Sequence, residues 1–245
     1  MAAEPTLIAV AHGSRDPRSA ATVSACVELI RAVRPDLDVR LAFLDLSAPS
    51  VEQVVDVVAA QGATHAVVVP LLLGSAFHAR VDLPGILAAA AARHPRLRLT
   101  QADVLGADPR LVSALRDRVR AACGSHALGS LGVAVAAVGS SSPEANARTA
   151  RVARLLAAET GWRTEICFAT TEPSVGHALS RLRDSGAARM LVAPWFLAPG
   201  LLTDRLAAQA SAVVHAEVLG AHPALADIVW DRYDAAVNDT LVLSA

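Results

Sequence analysis

The chain has 245 residues, of which 53% are hydrophobic and 18% charged, and its formal net charge is −1. That length is sufficient to bury one large hydrophobic core or two smaller ones. Because the charges nearly balance and form no long block of one sign, electrostatics give no basis for binding nucleic acid or an anionic membrane surface.

The first half of the chain alternates continuous apolar runs with amphipathic stretches. The apolar runs predict four buried strands, at residues 7–12, 39–44, 66–73 and 97–105. The amphipathic stretches predict four helices: residues 17–33, a helix opened by a capping-box pattern at Ser50, one that ends near Arg93 and one that begins at Pro109. Strands that alternate with helices through short connections indicate parallel βαβ units.

The same pattern begins again after residues 124–130, which have the composition of a flexible linker. Four blocks of the second half match four of the first in the same order: residues 133–143 with 7–17, 172–187 with 48–63, 192–200 with 68–76, and 217–225 with 103–111. A repeat distance of about 120 residues is too long for a solenoid. We therefore predict two similar flavodoxin-like α/β domains, residues 1–123 and 131–245, each a four-stranded parallel sheet flanked by helices, with a cleft between them.

Three side chains that can bind a metal follow the first three predicted strands: His12, Asp45 and His78. In a sheet with strand order 2-1-3-4 these strands are neighbours, and their carboxyl ends meet at the edge where open α/β sheets bind ligands. Two imidazoles and a carboxylate suit Fe²⁺, Co²⁺, Ni²⁺ or Zn²⁺ better than Mg²⁺. The sequence therefore predicts a metal site at this edge.

The second half has weakly liganding or apolar residues at the matching positions: Val138 for His12, Thr170 for Asp45 and Leu202 for His78. If the histidines only filled space in the fold, valine and leucine would serve as well. We therefore expect residues 1–123 to carry the metal site, and residues 131–245 to form a repeat that lacks the metal ligands.

The remaining sequence features indicate a cytoplasmic protein. The three cysteines, Cys26, Cys123 and Cys167, are widely spaced and form no C-x-x-C motif, which argues against a disulfide framework and favours a reducing compartment. The first residues lack the basic and long apolar regions of a signal peptide. The longest nearly apolar stretch, residues 190–202, is interrupted by prolines and a glycine and is too short to span a membrane.

Three of these motifs together resemble the sirohydrochlorin chelatases, members of the class II chelatases. They are AHGSR at residues 11–15, FLDL at 43–46 and PLLLGSAFHARVDLP at 70–84. The resemblance covers essentially the whole chain, because long members of that family are also duplicated. It implies that a divalent metal, Fe²⁺ or Co²⁺, is inserted into sirohydrochlorin without ATP, on the route to sirohaem or cobalamin. Asp45 stands where the family usually has Glu, so its carboxylate is one methylene shorter.

The resemblance also implies roles for individual residues. His12 and His78 would between them hold the metal and accept pyrrole protons, since a neutral imidazole does both near neutral pH, and which of the two acts as the base stays open. Asp45 would neutralise part of the charge of the metal as a further ligand, or take a proton as it leaves. Ser14, Arg15 and Arg80 would bind carboxylates of the tetrapyrrole. The metal would be a substrate, no organic cofactor is expected, and the duplicated chain would act as a monomer with an internal pseudo-dimer.

Other interpretations compete with this one. The same ligands would serve a non-enzymatic carrier of metal or tetrapyrrole. A histidine phosphatase would use His12 as a nucleophile, but that fold has Arg immediately before the histidine, where this chain has Ala11. A periplasmic-type binding protein would require a signal peptide. Individually, Asp45 is also compatible with an exposed strand end, Ser14 with a simple turn, and Arg15 and Arg80 with solvated surface.

Overall fold

The computed structural model describes residues 4–74, 81–124 and 130–242. The first sheet contains β1 (Thr6–Ala11), β2 (Val39–Phe43), β3 (His65–Pro70) and β4 (Arg98–Gln101). Its strands are parallel and lie in the order β2-β1-β3-β4. The helices in this part of the chain are α1 (Pro17–Val33), α2 (Val51–Ala60) and α3 (Leu83–Arg93). The predicted strand order is confirmed.

The second sheet repeats this arrangement. It contains β5 (Leu131–Ala137), β6 (Arg163–Phe168), β7 (Arg189–Pro194) and β8 (Val214–His215), in the parallel order β6-β5-β7-β8. The helices α5 (Pro143–Thr160), α6 (Val175–Asp184) and α7 (Leu201–Gln209) follow its first three strands. The remaining helices are α4 (Pro109–Cys123) and α8 (Pro223–Val242). Two four-stranded parallel sheets flanked by helices confirm the predicted fold class.

Burial explains why the strands were visible in the sequence. All six residues of β1 and all seven of β5 are buried, because helices cover both faces of a parallel sheet. Such strands appear as unbroken apolar runs. β4 is shorter than the predicted 97–105, since its partner β3 ends at Pro70 and leaves residues beyond Ala102 without a strand to pair with.

Helix starts follow local capping chemistry. The Asp16 carboxylate accepts a hydrogen bond from the Arg18 amide, and Pro17 occupies the first turn, where a missing N–H costs nothing. At α2, Ser50 and Gln53 form a reciprocal capping box, with Ser50 N–H donating to the Gln53 side chain at 2.9 Å. These short-range signals made the starts of α1 and α2 predictable.

The compact units differ from the sequence repeats. One unit comprises residues 1–106 with 221–245, and the other comprises residues 107–220. The predicted division at residues 124–130 separates the two sequence repeats, but each repeat gives its last helix to the other unit. Helix α8 packs against α1, β3 and β4, and α4 packs against α5 and β7. The apolar stripe of a helix shows that one face of the helix must be buried, but it does not show which sheet that face packs against.

Helix α8 is fixed to the first unit by one aromatic anchor. The Trp230 side chain is buried, and its indole N–H donates to the carbonyl of Ile30 at 3.0 Å. The Arg34 guanidinium lies 4.5 Å from the ring centroid, and Tyr233 packs edge-to-face with a centroid distance of 5.3 Å. The Tyr233 hydroxyl in turn donates to the Pro5 carbonyl, and burial raises the pKa of this phenol to about 12.

No helix of the described ranges is long and apolar enough to cross a membrane. The three cysteines are buried and form no disulfide bond, and burial raises the pKa of the Cys26 and Cys167 thiols to about 12. These two thiols are therefore protonated and weakly nucleophilic at neutral pH.

Replacing Trp230 with alanine is expected to destabilise the first unit. The change removes a buried aromatic side chain, its hydrogen bond and its contact with Arg34, so we expect the free energy of unfolding to fall by about 3–5 kcal/mol. Urea denaturation followed by circular dichroism measures it. Asp227→Ala, at an exposed position on the same helix, is the control and should change stability by less than about 0.5 kcal/mol. Equal effects of the two substitutions would contradict the anchoring role of Trp230.

Candidate active site

Two hydrogen bonds extend the pairing of β1 and β2 beyond the strands and bring the first two candidate residues together. The Leu44 amide donates to the Ala11 carbonyl, and the Asp45 amide donates to the His12 carbonyl, both at 2.9 Å. His12 and Asp45 are therefore adjacent at the carboxyl edge of the first sheet, where the sequence placed them. Both side chains are exposed.

Gly13 allows this close approach of the two strand ends. Its φ is +94°, and a Cβ at this position would lie 1.7 Å from the Asp45 carbonyl oxygen. Only glycine fits such a position, on both conformational and steric grounds. Next to it, the Ser47 hydroxyl donates to the Ser14 carbonyl at 3.0 Å and accepts from the Ser14 amide at 3.1 Å. The loops after β1 and β2 are thus held together by backbone contacts and by the Ser47 hydroxyl.

A cavity of about 600 Å³ opens at this edge. Its ionisable lining side chains come from four places: His12 after β1, Asp45 after β2, Glu52 in the first turn of α2 and Asp82 just before α3. The remaining described lining residues are Leu44, Val81, Gly85, Ile86 and Ala89. The cavity therefore combines an imidazole, three carboxylates and an apolar wall.

The predicted three-ligand set is only partly within the described structure. His12 and Asp45 line one cavity, whereas His78 and Arg80 lie outside the described residues. Across residues 4–74, 81–124 and 130–242, no group of three or more His, Cys, Asp or Glu side chains is arranged to hold a metal ion. The ligand set of His12, Asp45 and His78 stays a prediction.

Local bonds occupy part of the Asp45 and Ser14 side chains. Asp45 Oδ1 accepts from the Leu46 amide at 2.7 Å and supports a turn in which Leu46 has φ of 60°. Ser14 Oγ accepts from the Asp16 amide at 3.0 Å, which is the turn role weighed for it above. Arg15 is exposed and does not line the cavity. The tetrapyrrole-binding roles of Ser14 and Arg15 stay predictions.

Glu52 was missed as a site residue because the sequence presents it as part of a helix-capping pattern. Asp82 also lines the cavity, although it was not among the predicted site residues. The available signal was their position: both lie at the starts of helices that follow strands of the same sheet, and such helix starts face the carboxyl edge.

The second sheet has the same backbone arrangement with different side chains. The Ala169 amide donates to the Ala137 carbonyl at 2.8 Å and the Thr170 amide to the Val138 carbonyl at 3.0 Å. These bonds reproduce those of Leu44 and Asp45, so Val138 and Thr170 occupy the positions of His12 and Asp45, as predicted. Gly139 repeats the backbone of Gly13 with φ of +93°.

The predicted match of Leu202 with His78 stays a prediction, because His78 lies outside the described residues. Leu202 lies in the first turn of α7, and its side chain packs against the core of its unit. The connection between strand and helix is shorter in the second repeat, running over residues 195–200 against 71–82 in the first.

Comparison with known proteins agrees with this architecture. The family model CbiX matches residues 6–122 and again residues 132–236. A sirohydrochlorin ferrochelatase of Priestia megaterium is 28% identical over 232 residues, which are 90% of this chain and 86% of the relative. A sirohydrochlorin cobaltochelatase of the same organism is 28% identical over 209 residues, covering 82% of this chain and 67% of the relative.

Solved structures show the same fold. SirB from Bacillus subtilis, determined with Fe³⁺, has a TM-score of 0.81 and 26% sequence identity, over 97% of this chain and 98% of that one. A cobalt complex of SirB from Bacillus subtilis subspecies spizizenii has a TM-score of 0.76 and 25% identity, over 96% of this chain and 97% of that one.

The contact between Gly13 and Asp45 predicts a specific sensitivity to substitution. Gly13→Ala forces a Cβ into the Asp45 carbonyl, so we expect it to separate the two loops and to lower the free energy of unfolding by more than a positive φ alone explains. Gly62→Ala is the matched control: Gly62 has φ of +85°, but nothing lies within 4 Å of its added Cβ.

The control should cost about 1–2 kcal/mol, the penalty of the left-handed conformation, and Gly13→Ala clearly more. Thermal unfolding of both variants measures the difference. Equal losses would show that Gly13 is needed only for its backbone angle.

Proposed function

Because this chain belongs to the CbiX family, we propose that it inserts a divalent metal ion, Fe²⁺ or Co²⁺, into sirohydrochlorin without ATP. The observation that carries the proposal is the cavity at the carboxyl edge of the first sheet, where His12 and Asp45 are adjacent. Curated relatives named sirohydrochlorin ferrochelatase and cobaltochelatase support both metals.

The reaction requires groups that bind a metal and accept protons. Two pyrrole N–H protons leave the macrocycle as the metal enters it. A neutral imidazole binds a borderline divalent ion and also accepts a proton near neutral pH. We assign these tasks to His12 and His78, of which His12 lines the described cavity.

Carboxylates balance the charge during the exchange. A divalent ion replaces two protons, so the net charge of the tetrapyrrole is unchanged. The cavity holds two positive charges throughout the exchange, first on the metal ion and then on the two released protons. Asp45, as a metal ligand, would neutralise part of this charge. Its Oδ1 is engaged by the Leu46 amide, which fixes the direction of the carboxylate and leaves Oδ2 for the ion.

Exposed apolar side chains beside the cavity support binding of a flat macrocycle. Leu46 and Val81 of the first unit are each about half exposed. Exposed apolar groups of this kind often mark ligand sites. The peripheral carboxylates of sirohydrochlorin would pair with Arg15 and Arg80, and Ser14 would bind one through its hydroxyl group.

A non-enzymatic carrier of metal or tetrapyrrole remains the alternative, since it would use the same ligands. Buried cysteines that form no disulfide bond suit a reducing compartment, and we propose a cytoplasmic location and a monomeric state for either activity.

Turnover distinguishes the enzyme from the carrier. The purified protein is mixed with an excess of sirohydrochlorin and either Fe²⁺ or Co²⁺ under anaerobic conditions, and metallation is followed by absorbance. An enzyme converts many equivalents of tetrapyrrole per chain, at a rate above that of the protein-free reaction. Conversion that stops at one equivalent would favour the carrier and contradict the proposed activity.

His12→Val is expected to abolish metal insertion while preserving the fold. Valine is the residue that the second repeat carries at the equivalent position, where Val138 is compatible with the same backbone. We expect at least a 100-fold loss of kcat/KM, in the range by which a positioned acid–base group accelerates proton transfer, about 10²–10⁴-fold. The initial rate of metallation and the thermal unfolding curve measure the two effects.

Val138→His is the matched control and should neither rescue the His12→Val variant nor alter the wild-type rate, since Thr170 replaces Asp45 beside it. Full activity of His12→Val would remove His12 from the mechanism.

A further inference from the structure

Glu52 lies in the first turn of α2 but takes no part in the cap or the core packing of that helix. The cap of α2 is made by Ser50 and Gln53, and the side of the helix that packs on the core is formed by Val51, Val54, Val55 and Val58. Glu52 makes no hydrogen bond or ion pair with the residues that the structure describes, and it is half-buried in the wall of the cavity. Neither the cap nor the core therefore requires a glutamate here.

The second repeat supports the same conclusion. Helix α6 keeps the serine cap, with Ser174 accepting from the His177 amide, and it keeps the buried valine at position 175. The position of Glu52 is taken by Gly176. Glu52 is thus absent from the repeat that also lacks the other site residues, His12 and Asp45, whereas the residues that build the helix start are retained.

The cavity is suited to a hydrated cation. Three carboxylates and one imidazole are its ionisable groups among the described lining residues, and these include no arginine. A volume of about 600 Å³ has room for an ion with its water shell, since each water takes about 30 Å³. No set of three ligands in the described part of the chain is close enough for direct coordination. Coordination through water molecules does not require the side chains to be that close together.

We propose that Glu52 is a positioning residue that captures the incoming divalent cation in hydrated form and speeds its delivery to His12 and Asp45. A cleft lined by charges of one sign concentrates counter-ions and raises association rates. Glu52 contributes a carboxylate to the described wall of the cavity, and this carboxylate makes no hydrogen bond or ion pair with the described residues. The inference rests on the proposed function, because it treats the captured ion as the substrate of metal insertion.

The test uses Co²⁺ alone, without tetrapyrrole. Binding of Co²⁺ to the purified chain is followed by stopped-flow visible absorbance for the wild type and Glu52→Gln. We expect the association rate constant to fall about three- to tenfold at about 10 mM ionic strength, where the Debye length is about 30 Å. At about 1 M ionic strength, where the Debye length is about 3 Å, the two rates should converge.

The matched control is Glu28→Gln. Glu28 is an exposed glutamate of α1, paired with Arg31 and outside the cavity, so its substitution removes the same charge from the same unit and should leave the Co²⁺ association rate unchanged.

In steady-state metallation, Glu52→Gln should raise KM for the metal and leave kcat at saturating metal unchanged.

The results that would contradict the capture role of Glu52 differ from those that would contradict the proposed function. A carboxylate in the first turn of α2 also favours the helix dipole, and that role alone would change thermal unfolding but not the salt dependence of Co²⁺ binding. The capture role would be overturned if Glu52→Gln bound Co²⁺ at the wild-type rate at low ionic strength. It would also be overturned if a reduced association rate persisted at high ionic strength. Absence of turnover by the wild-type protein would instead overturn the proposed function, whatever the Co²⁺ rates show.

Discussion

The candidate site depends on the contact between the ends of β1 and β2. The Asp45 amide bonds to the His12 carbonyl, and Gly13 lies so close to the Asp45 carbonyl that a single added carbon would overlap it. This geometry is fixed by backbone contacts and by the Ser47 hydroxyl, and not by the side chains of His12 and Asp45. The side chains at positions 12 and 45 are therefore free to differ without disturbing the strands, and the fold can carry chemistry there without depending on it.

The second repeat shows that the backbone contact can exist without the ionisable side chains. It keeps the two hydrogen bonds and the left-handed glycine, but it has Val138 and Thr170 in place of the imidazole and the carboxylate. Duplication thus produced two copies of one backbone design, of which the first carries the ionisable cavity. The exchange of α4 and α8 makes each compact unit from both repeats, so neither repeat supplies all the helices of its own unit.

Much of the fold, and part of the candidate site, could be predicted because they depend on short-range rules. Strands buried on both faces are continuous apolar runs, and helix starts carry their own caps, so the elements, the parallel order and the duplication followed from the residues. His12 and Asp45 followed too, since each stands directly after an apolar run. The match of Leu202 with His78 assumed equal spacing, whereas the connection before α7 is shorter than the one before α3, so residue spacing alone does not align the two repeats there.

The fold class, the strand order and the adjacency of His12 and Asp45 follow from the amino-acid sequence, since all three depend on local pattern and on the geometry of parallel sheets. The unit that α4 and α8 each join does not, because an apolar helix face can pack on either sheet, and it is known only from the packing of the folded chain. That packing also decided that Glu52 and Asp82 share a cavity with His12. That convergence depends on where α2 and α3 pack beside the sheet, which no local pattern specifies.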